Sequence, residues 1–177
     1  MEDPVAELRE VFRSITEPYS ANVITQNIEK YFTEDAYIEH PLLNQPKSAH
    51  GKDMLKGYYK FLRVFTINNK IDFHSVMFDE DKTHAAIDLT QNANPRVLPW
   101  PAFRVHVRFI TLLDIRKEED GKYRISHQID NFPSDLGRSG IPTLPGLSCA
   151  SNIIKTIIGI IAGILGQFLL SKGCFGA

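Results

Sequence analysis

The side chains best suited to proton transfer in this sequence are histidines and one aspartate, all within strand-like runs or at their ends. His40 stands directly before Pro41, and an imidazole with an unperturbed pKa of about 6.5 can act as a general base. His74, His127 and Asp130 occur in later runs whose apolar residues alternate. These four residues, His40, His74, His127 and Asp130, are the predicted catalytic candidates.

Two of these candidates also have simpler interpretations. His40 is explained as well by a hydrogen-bonded loop residue, and His127 by a core histidine satisfied through one partner. His127 alternates with Ile125 and Ile129 on the apolar side of its run, so Asp130 falls on the opposite face. His127 and Asp130 therefore share a pocket only if a bulge or strand curvature turns one of them.

Aromatic side chains are the predicted substrate-binding residues. In the pair Tyr58-Tyr59 only one ring can point fully inward from a helix, and Tyr58 is the predicted pocket phenol. Trp100, flanked by prolines, guards the mouth of the pocket, lies at a lipid interface or packs in the core. Tyr37 and Phe109, on predicted strands, complete the binding set.

Composition and motifs argue against several functional classes. The 20 basic and 21 acidic side chains give a net charge of −1, so no nucleic-acid partner is predicted. The body of the chain has no cysteine and no HxH or HExxH spacing, so no metal site is predicted. The sequence also has no Gly-rich phosphate loop and no GxSxG motif, so we predict chemistry without a cofactor.

The periodicity of apolar residues predicts the elements that must position these side chains. Helical spacing occurs over residues 5–15, 22–32 and 52–64. A short strand-like run covers 36–40, and a loop or bent hairpin follows it. A period of two appears over residues 71–78, 83–91, 102–115 and 122–132. This order predicts an α+β fold in which three N-terminal helices pack on a curved antiparallel sheet.

The stretch YFTEDAYIEHPLLNQPKSAHGKDMLKGYYKFL (31–62) and the element order over 5–132 resemble the nuclear transport factor 2-like superfamily, with its SnoaL-like and ketosteroid isomerase-like members. The resemblance implies a cone of curved sheet closed by three helices, with an internal pocket. The whole chain also resembles a fungal SigF-like sub-group, which implies no particular reaction.

Within the superfamily, the resemblance places His40 where ketosteroid isomerases have their aspartate base. The isomerase's two oxyanion donors fall near Phe12 or Arg13 and near Thr111, and both are lost. The isomerase activity is therefore not carried over, because it would lack its main electrostatic stabilisation. Scytalone dehydratase, on the same fold, implies a second possibility in which His74 is a pocket histidine.

The C-terminal run Ile153–Leu170 is almost entirely apolar and, as a helix, would be about 27 Å long. It predicts a transmembrane tail anchor, with Lys155 snorkelling and a GxxxG face that favours helix pairing. An interfacial placement stays open, as does a buried helix that caps the pocket or a dimer interface. Cys149 and Cys174 flank the run and are candidates for lipidation.

Three segments follow: a pocket domain (1–132), a Pro/Gly-rich linker (133–150) and a C-terminal membrane-associating helix (151–177). The predicted function is a membrane-tethered domain that binds a hydrophobic small molecule. As an enzyme it would be a lyase or isomerase. The alternatives are a non-catalytic lipid or sterol module and a tethered protein–protein adaptor, with a homodimer left open. The predicted location is a membrane, with the domain facing the cytosol, at the endoplasmic reticulum or a lipid droplet.

Overall fold

The computed structural model describes residues 1–41, 43–97, 104–133 and 146–171, and within them the chain forms four helices and six strands. The helices are α1 (Pro4–Thr16), α2 (Ala21–Tyr31), α3 (Gly51–Phe65) and α4 (Leu147–Ser171). The strands are β1 (Phe32–His40), β2 (Leu43–Asn44), β3 (Thr66–Phe78), β4 (His84–Pro95), β5 (Val105–Lys117) and β6 (Tyr123–Asn131). The predicted α+β class is confirmed, but the N-terminal arrangement differs from three consecutive helices, because β1 and β2 lie between α2 and α3.

Helix α1 forms where an apolar stripe and a capping group coincide. Asp3 caps α1, because its carboxylate accepts a 3.2 Å hydrogen bond from the Val5 backbone N–H. The stripe of α1 is buried against the sheet and the other helices, through Leu8, Val11, Phe12 and Ile15. Ile24 and Ile28 of α2 join the same core. The stripe fixes which side chains of α1 face the interior of the fold.

The sheet has the order β2-β1-β6-β5-β4-β3. Strands β3, β4, β5 and β6 pair antiparallel with one another, as predicted. Strand β1, however, runs parallel to β6. The sheet is therefore mixed, and the prediction of a wholly antiparallel sheet is wrong. Because β1 is separated from β6 by a helix and four strands, local alternation carries no information about this pairing.

The sheet is also not closed within the described residues, since β2 and β3 are its two edges. The predicted cone is thus an open sheet against which α1, α2 and α3 pack. The segment predicted as a loop or bent hairpin contains β2, whose two residues pair with Glu39 and His40. Of these alternatives the structure favours the bent hairpin.

Helix α4 begins at Leu147, within the predicted linker, and its described large apolar side chains are each 50–64 % exposed. Among residues 1–41, 43–97, 104–133 and 146–171, no helix is long and apolar enough to cross a membrane. The predicted transmembrane span and tail anchor over Ile153–Leu170 are therefore not supported.

Candidate functional site

A narrow cavity lies between α1, α3 and the inner face of the sheet. Its volume is about 40 Å³. Its apolar wall consists of Phe12, Ile38, Leu62, Ile71, Leu89 and Phe109. Its polar groups are Thr16, His40, Tyr58, Tyr59, Gln91, Thr111, Gln128 and Asp130. The cavity thus combines an apolar wall with converging polar groups, as small-molecule sites do.

Asp130, near the end of β6, brings a carboxylate into this cavity. Its Oδ1 accepts a 2.6 Å hydrogen bond from Thr111 Oγ1, and Gln128 Nε2 donates to both carboxylate oxygens at 3.0–3.1 Å. Among the described residues, no lysine or arginine forms an ion pair with this carboxylate. Burial raises the pKa of Asp130 to about 6, although the hydrogen bonds from Thr111 and Gln128 act in the opposite direction.

Gln128 connects Asp130 to a buried phenol. The Tyr59 hydroxyl donates to Gln128 Oε1 at 3.1 Å, so the Gln128 amide accepts from Tyr59 and donates to Asp130. This chain fixes the orientation of the amide and holds the carboxylate in place. Burial raises the pKa of Tyr59 well above its usual value, so the phenol stays protonated.

Tyr58 is the second phenol of the cavity, with its ring edge-on to Tyr59 at 5.7 Å. Burial, reinforced by the charge of Asp130, raises the pKa of Tyr58, so its hydroxyl is a neutral donor at physiological pH. The sequence predicted Tyr58 as the pocket phenol, and the structure brings both tyrosines to the cavity. The Tyr59 side chain is buried, whereas the Tyr58 side chain is partly exposed to solvent.

His40 lies in the cavity wall, at the end of β1. Its ring is surrounded by the rings of Phe109, Tyr58 and Phe132, at centroid distances of 5.5, 5.9 and 6.5 Å. Burial lowers the pKa of His40 to about 4, because this surrounding disfavours the charged imidazolium. His40 is therefore neutral at pH 7 and serves better as a hydrogen-bonding group than as a strong base.

A bulge in β6 reverses the side-chain alternation that the sequence suggested. Asp114 pairs with His127 and Ile115 with Ile125, which leaves Ser126 as an extra residue. Beyond Ser126, His127 turns to the outer face of the sheet, while Gln128 and Asp130 turn inward. The prediction that His127 lies on the apolar face is wrong, and His127 and Asp130 do not share a pocket.

Tyr37 and His127 lie together on that outer face. Their rings stack at a centroid distance of 4.0 Å and an angle of 20°. His127 Nδ1 is 3.1 Å from Asp114 Oδ2, and its Nε2 is 3.3 Å from Glu39 Oε1 without the geometry of a hydrogen bond. Neither Tyr37 nor His127 lines the central cavity.

The remaining predicted site residues lie in different parts of the structure. His74 is the extra residue of a bulge in β3; it is exposed and its Nε2 bonds Thr90 Oγ1 on the outer face at 2.8 Å. Phe109 lines the cavity beside His40. Trp100 lies outside the described residues. In the described part of the chain, no group of three histidine, cysteine or acidic residues gathers as a metal site.

Five polar cavity residues were missed by sequence reasoning: Thr16, Tyr59, Gln91, Thr111 and Gln128. The sequence did contain a sign of Thr111, because alternation in the run 102–115 places it between Phe109 and Leu113 on one apolar face. A hydroxyl in that row needs a partner, and Asp130 on the neighbouring strand supplies it. The sequence contained no such sign of Gln128, because the bulge at Ser126 is not visible in the alternation.

A curved sheet that encloses an apolar cavity between its inner face and helices defines a pocket-forming α+β class. The family described as SigF NTF2-like domain matches residues 1–174, and the chain belongs to this family. The predicted membership of the nuclear transport factor 2-like superfamily and its SigF-like group is confirmed. No curated protein matches the chain.

Solved structures with the same fold share little sequence with this chain. A nuclear transport factor 2-like superfamily protein from Salmonella enterica has a TM-score of 0.56 and 14 % identity, covering 75 % of this chain and 92 % of its own. AusH from Aspergillus nidulans has a TM-score of 0.53 and 12 % identity, covering 75 % and 84 %. A hypothetical protein from Catenulispora acidiphila with a ketosteroid isomerase-like fold, in complex with trimethylamine, has a TM-score of 0.52 and 17 % identity. The match covers 73 % of this chain and 88 % of that protein. These likenesses show the fold.

Proposed function

We propose that this protein binds a hydrophobic small molecule in its cavity and catalyses proton transfer on it without a cofactor, as an isomerase or dehydratase does. The observation that carries the proposal is the Asp130 carboxylate. It lies in a largely apolar cavity, is held by neutral donors and has its pKa raised to about 6. A base whose pKa is close to the working pH is best placed to take and return a proton.

The roles of the surrounding groups follow from their protonation states. Ionised Asp130 accepts a proton from a carbon next to a carbonyl group of the ligand. The neutral Tyr58 hydroxyl donates a hydrogen bond to the ligand oxygen on which negative charge develops, and the apolar wall excludes water. His40 stays neutral and forms part of the wall against which the ligand packs. Asp130 then returns the proton to another carbon or to a leaving hydroxyl.

The dimensions of the cavity limit the ligand. A cavity of about 10–15 Å³ holds one water molecule, so 40 Å³ holds only a few. Ligand pockets usually enclose about 300–1,000 Å³. The rings of Tyr58 and His40 must therefore move when a ligand larger than a few atoms enters. The apolar wall selects a ligand whose body is hydrophobic.

The experiment that tests catalysis follows hydrogen exchange. Full-length protein is incubated in D₂O with an extract of hydrophobic metabolites, and carbon-bound deuterium and loss of water are followed by mass spectrometry. Wild-type protein is expected to label or dehydrate at least one compound, and Asp130→Asn to lose this activity. Asp81→Asn, which removes an exposed carboxylate, is the control and should behave as wild type. Equal labelling by Asp130→Asn would rule out Asp130 as the base.

One observation favours a second candidate, a non-catalytic binding module. The polar groups Tyr59, Gln128, Asp130 and Thr111 already satisfy one another. Such a closed network can hold the cavity in shape without taking part in chemistry. Native mass spectrometry of the full-length protein separates the two functions. A binding module retains the same unaltered molecule in wild type and Asp130→Asn, whereas an enzyme accumulates substrate only in the variant.

We also propose that α4 attaches the protein to a membrane surface without crossing it. This is the interfacial alternative for the C-terminal run, and it agrees with the predicted location at the endoplasmic reticulum or a lipid droplet. The support is the exposure of its isoleucines, which water disfavours. Full-length protein is expected to float with phosphatidylcholine vesicles, and Ile157→Asp/Ile161→Asp to remain unbound. Ala49→Asp places a similar charge on an exposed loop as control. Unchanged flotation of the double variant would exclude α4 as the contact.

A further inference from the structure

Two arginines without acidic partners lie together at the carboxyl end of α3. Arg63 is in the last turn of the helix and only 5 % exposed, and Arg96 follows β4 directly. Within the described residues neither forms an ion pair. Three other arginines each pair with an aspartate: Arg108, Arg116 and Arg124. A buried guanidinium without a counter-ion is unusual, because burial of an unpaired charge is costly.

Arg96 is held in position by the end of the helix. Its backbone N–H donates to Phe65 O at 2.8 Å, its Nε to Val64 O at 3.0 Å and its Nη2 to Arg63 O at 2.6 Å. These bonds satisfy carbonyls that the helix leaves open, and the negative end of the helix dipole favours a cation there. Arg96 is therefore a preorganised positive group, fixed before any ligand arrives.

Arg63 has hydrogen-bonding capacity that the described protein does not use. Its Nε and Nη1 are buried and have no acceptor. Burial and the neighbouring charge of Arg96 lower the pKa of Arg63. Two cations thus stand side by side with buried donors unsatisfied, and an oxygen anion would relieve both the repulsion and the missing hydrogen bonds.

Tyr19 covers this pair from the solvent side. Its ring centroid is 5.4 Å from Arg63 Cζ and 5.8 Å from Arg96 Cζ, and its side chain is 72 % exposed. The Arg96 guanidinium, which donates toward the phenol oxygen and is positively charged, lowers the pKa of Tyr19. The pair already favours negative charge on an oxygen at this place, and the ring that covers it is largely exposed to solvent.

We propose that Arg63 and Arg96 form a binding site for one anionic group, a carboxylate or a phosphate, with Tyr19 as its cover. The planar guanidinium matches both anions through paired N–H donors. The helix end that Arg96 binds carries exposed apolar side chains, those of Val64 and Phe65, and Val97 follows directly. The ligand is therefore a small molecule with an apolar part beside its anionic group. None of the three site residues lines the central cavity, so this site is separate from the proposed chemistry.

The test uses full-length protein and three probes at constant ionic strength: inorganic phosphate, acetate and hexanoate. Isothermal titration is expected to show saturable binding of phosphate or of a carboxylate, with hexanoate tighter than acetate because of the apolar surround. In Arg63→Gln the affinity should fall at least about tenfold. Lys60→Gln removes one exposed charge from the same helix and should leave the affinity unchanged.

A second readout on wild-type protein covers the case in which Arg63→Gln does not fold. The Nε–H resonance of Arg63 in a ¹⁵N correlation spectrum should shift on addition of the binding anion and saturate with the same dissociation constant. No binding beyond a chloride control, an equal loss in Lys60→Gln, or an Arg63 resonance that does not move would each overturn the proposal.

Discussion

Thr111 Oγ1 donates a 2.6 Å hydrogen bond to Asp130 Oδ1 across the β5–β6 pair, inside the cavity. This bond connects a residue of β5 with the carboxylate on which the proposed chemistry depends. It stabilises the ionised form of Asp130 in surroundings that otherwise favour the protonated form. The pKa of Asp130, about 6, is thus a balance between burial and donated hydrogen bonds.

Replacing Thr111 by valine removes the hydroxyl and keeps the shape of the side chain. The pKa of Asp130 should rise above about 6, because burial remains while one donor to the carboxylate is lost. The carboxyl ¹³C resonance of Asp130, followed through a pH titration, measures the change. Thr90→Val, which removes a hydroxyl on the outer face, is the control and should leave this pKa unchanged. An unaltered pKa in Thr111→Val would mean that the Thr111 bond does not tune the carboxylate.

Asp130 and His40 should affect stability in opposite directions between about pH 4 and 6. The folded-state pKa of Asp130 is raised to about 6, so in this range the folded protein holds a proton that the unfolded chain has lost. The free energy of unfolding contributed by Asp130 therefore falls as the pH rises. The pKa of His40 is lowered to about 4, so the unfolded chain holds the extra proton and this contribution rises with pH.

Single variants separate the two contributions. Relative to wild type, Asp130→Asn should gain stability as the pH rises from 4 to 6, by at most about 3 kcal/mol, since one pKa unit corresponds to about 1.4 kcal/mol. His40→Gln should lose relative stability over the same range. Urea unfolding at several pH values measures both differences. Parallel curves for wild type and Asp130→Asn would show that Asp130 has the same pKa in folded and unfolded chains.

The sequence predicted those parts of the fold that depend on local patterns. The periods of 3.6 and 2 located α1 to α3 and the antiparallel strands β3 to β6. The parallel pairing of β1 with β6 joins residues about 90 positions apart, and no local pattern encodes it.

The candidate site was predictable where the position alone decides which way a side chain points. His40 and Phe109 reach the cavity wall from strand positions read directly from the sequence. His127 was placed on the wrong face because one extra residue, Ser126, reverses the alternation after it. A bulge depends on the partner strand, so alternation within β6 could not reveal it.

The outer-face histidines should be dispensable for chemistry in the cavity. His127 stacks on Tyr37 and His74 bonds Thr90, both away from the cavity. His127→Gln and His74→Gln should therefore retain the D₂O labelling activity within about twofold, because neither side chain lines the cavity. Asp130→Asn serves as the inactive reference in the same assay. A loss of activity in His127→Gln comparable to that of Asp130→Asn would place the chemistry on the outer face.

Two glycines of α3 should respond to alanine in opposite ways. A Cβ at Gly51 would overlap the carbonyl oxygen of Ala36 in β1, whereas one at Gly57 would meet nothing within 4 Å. Gly51→Ala should destabilise the protein by about 1–3 kcal/mol or more, because backbone cannot give way as a flexible side chain can. Gly57→Ala should stabilise it by about 0.5–1 kcal/mol, since alanine favours the helix.

The variants Gly51→Ala and Gly57→Ala also test how the cavity is assembled. Gln45 Nε2 donates to both Ala36 O and Gly51 O, at 3.1 and 2.7 Å, and so fastens the start of α3 to β1. This contact sets the position of the helix that carries Tyr58, opposite His40 at the end of β1. Gly51→Ala should therefore alter the pKa of Asp130 as well as the urea midpoint, whereas Gly57→Ala should change only the midpoint. If Gly51→Ala lowers stability but leaves the pKa of Asp130 intact, the cavity does not depend on close contact between α3 and β1.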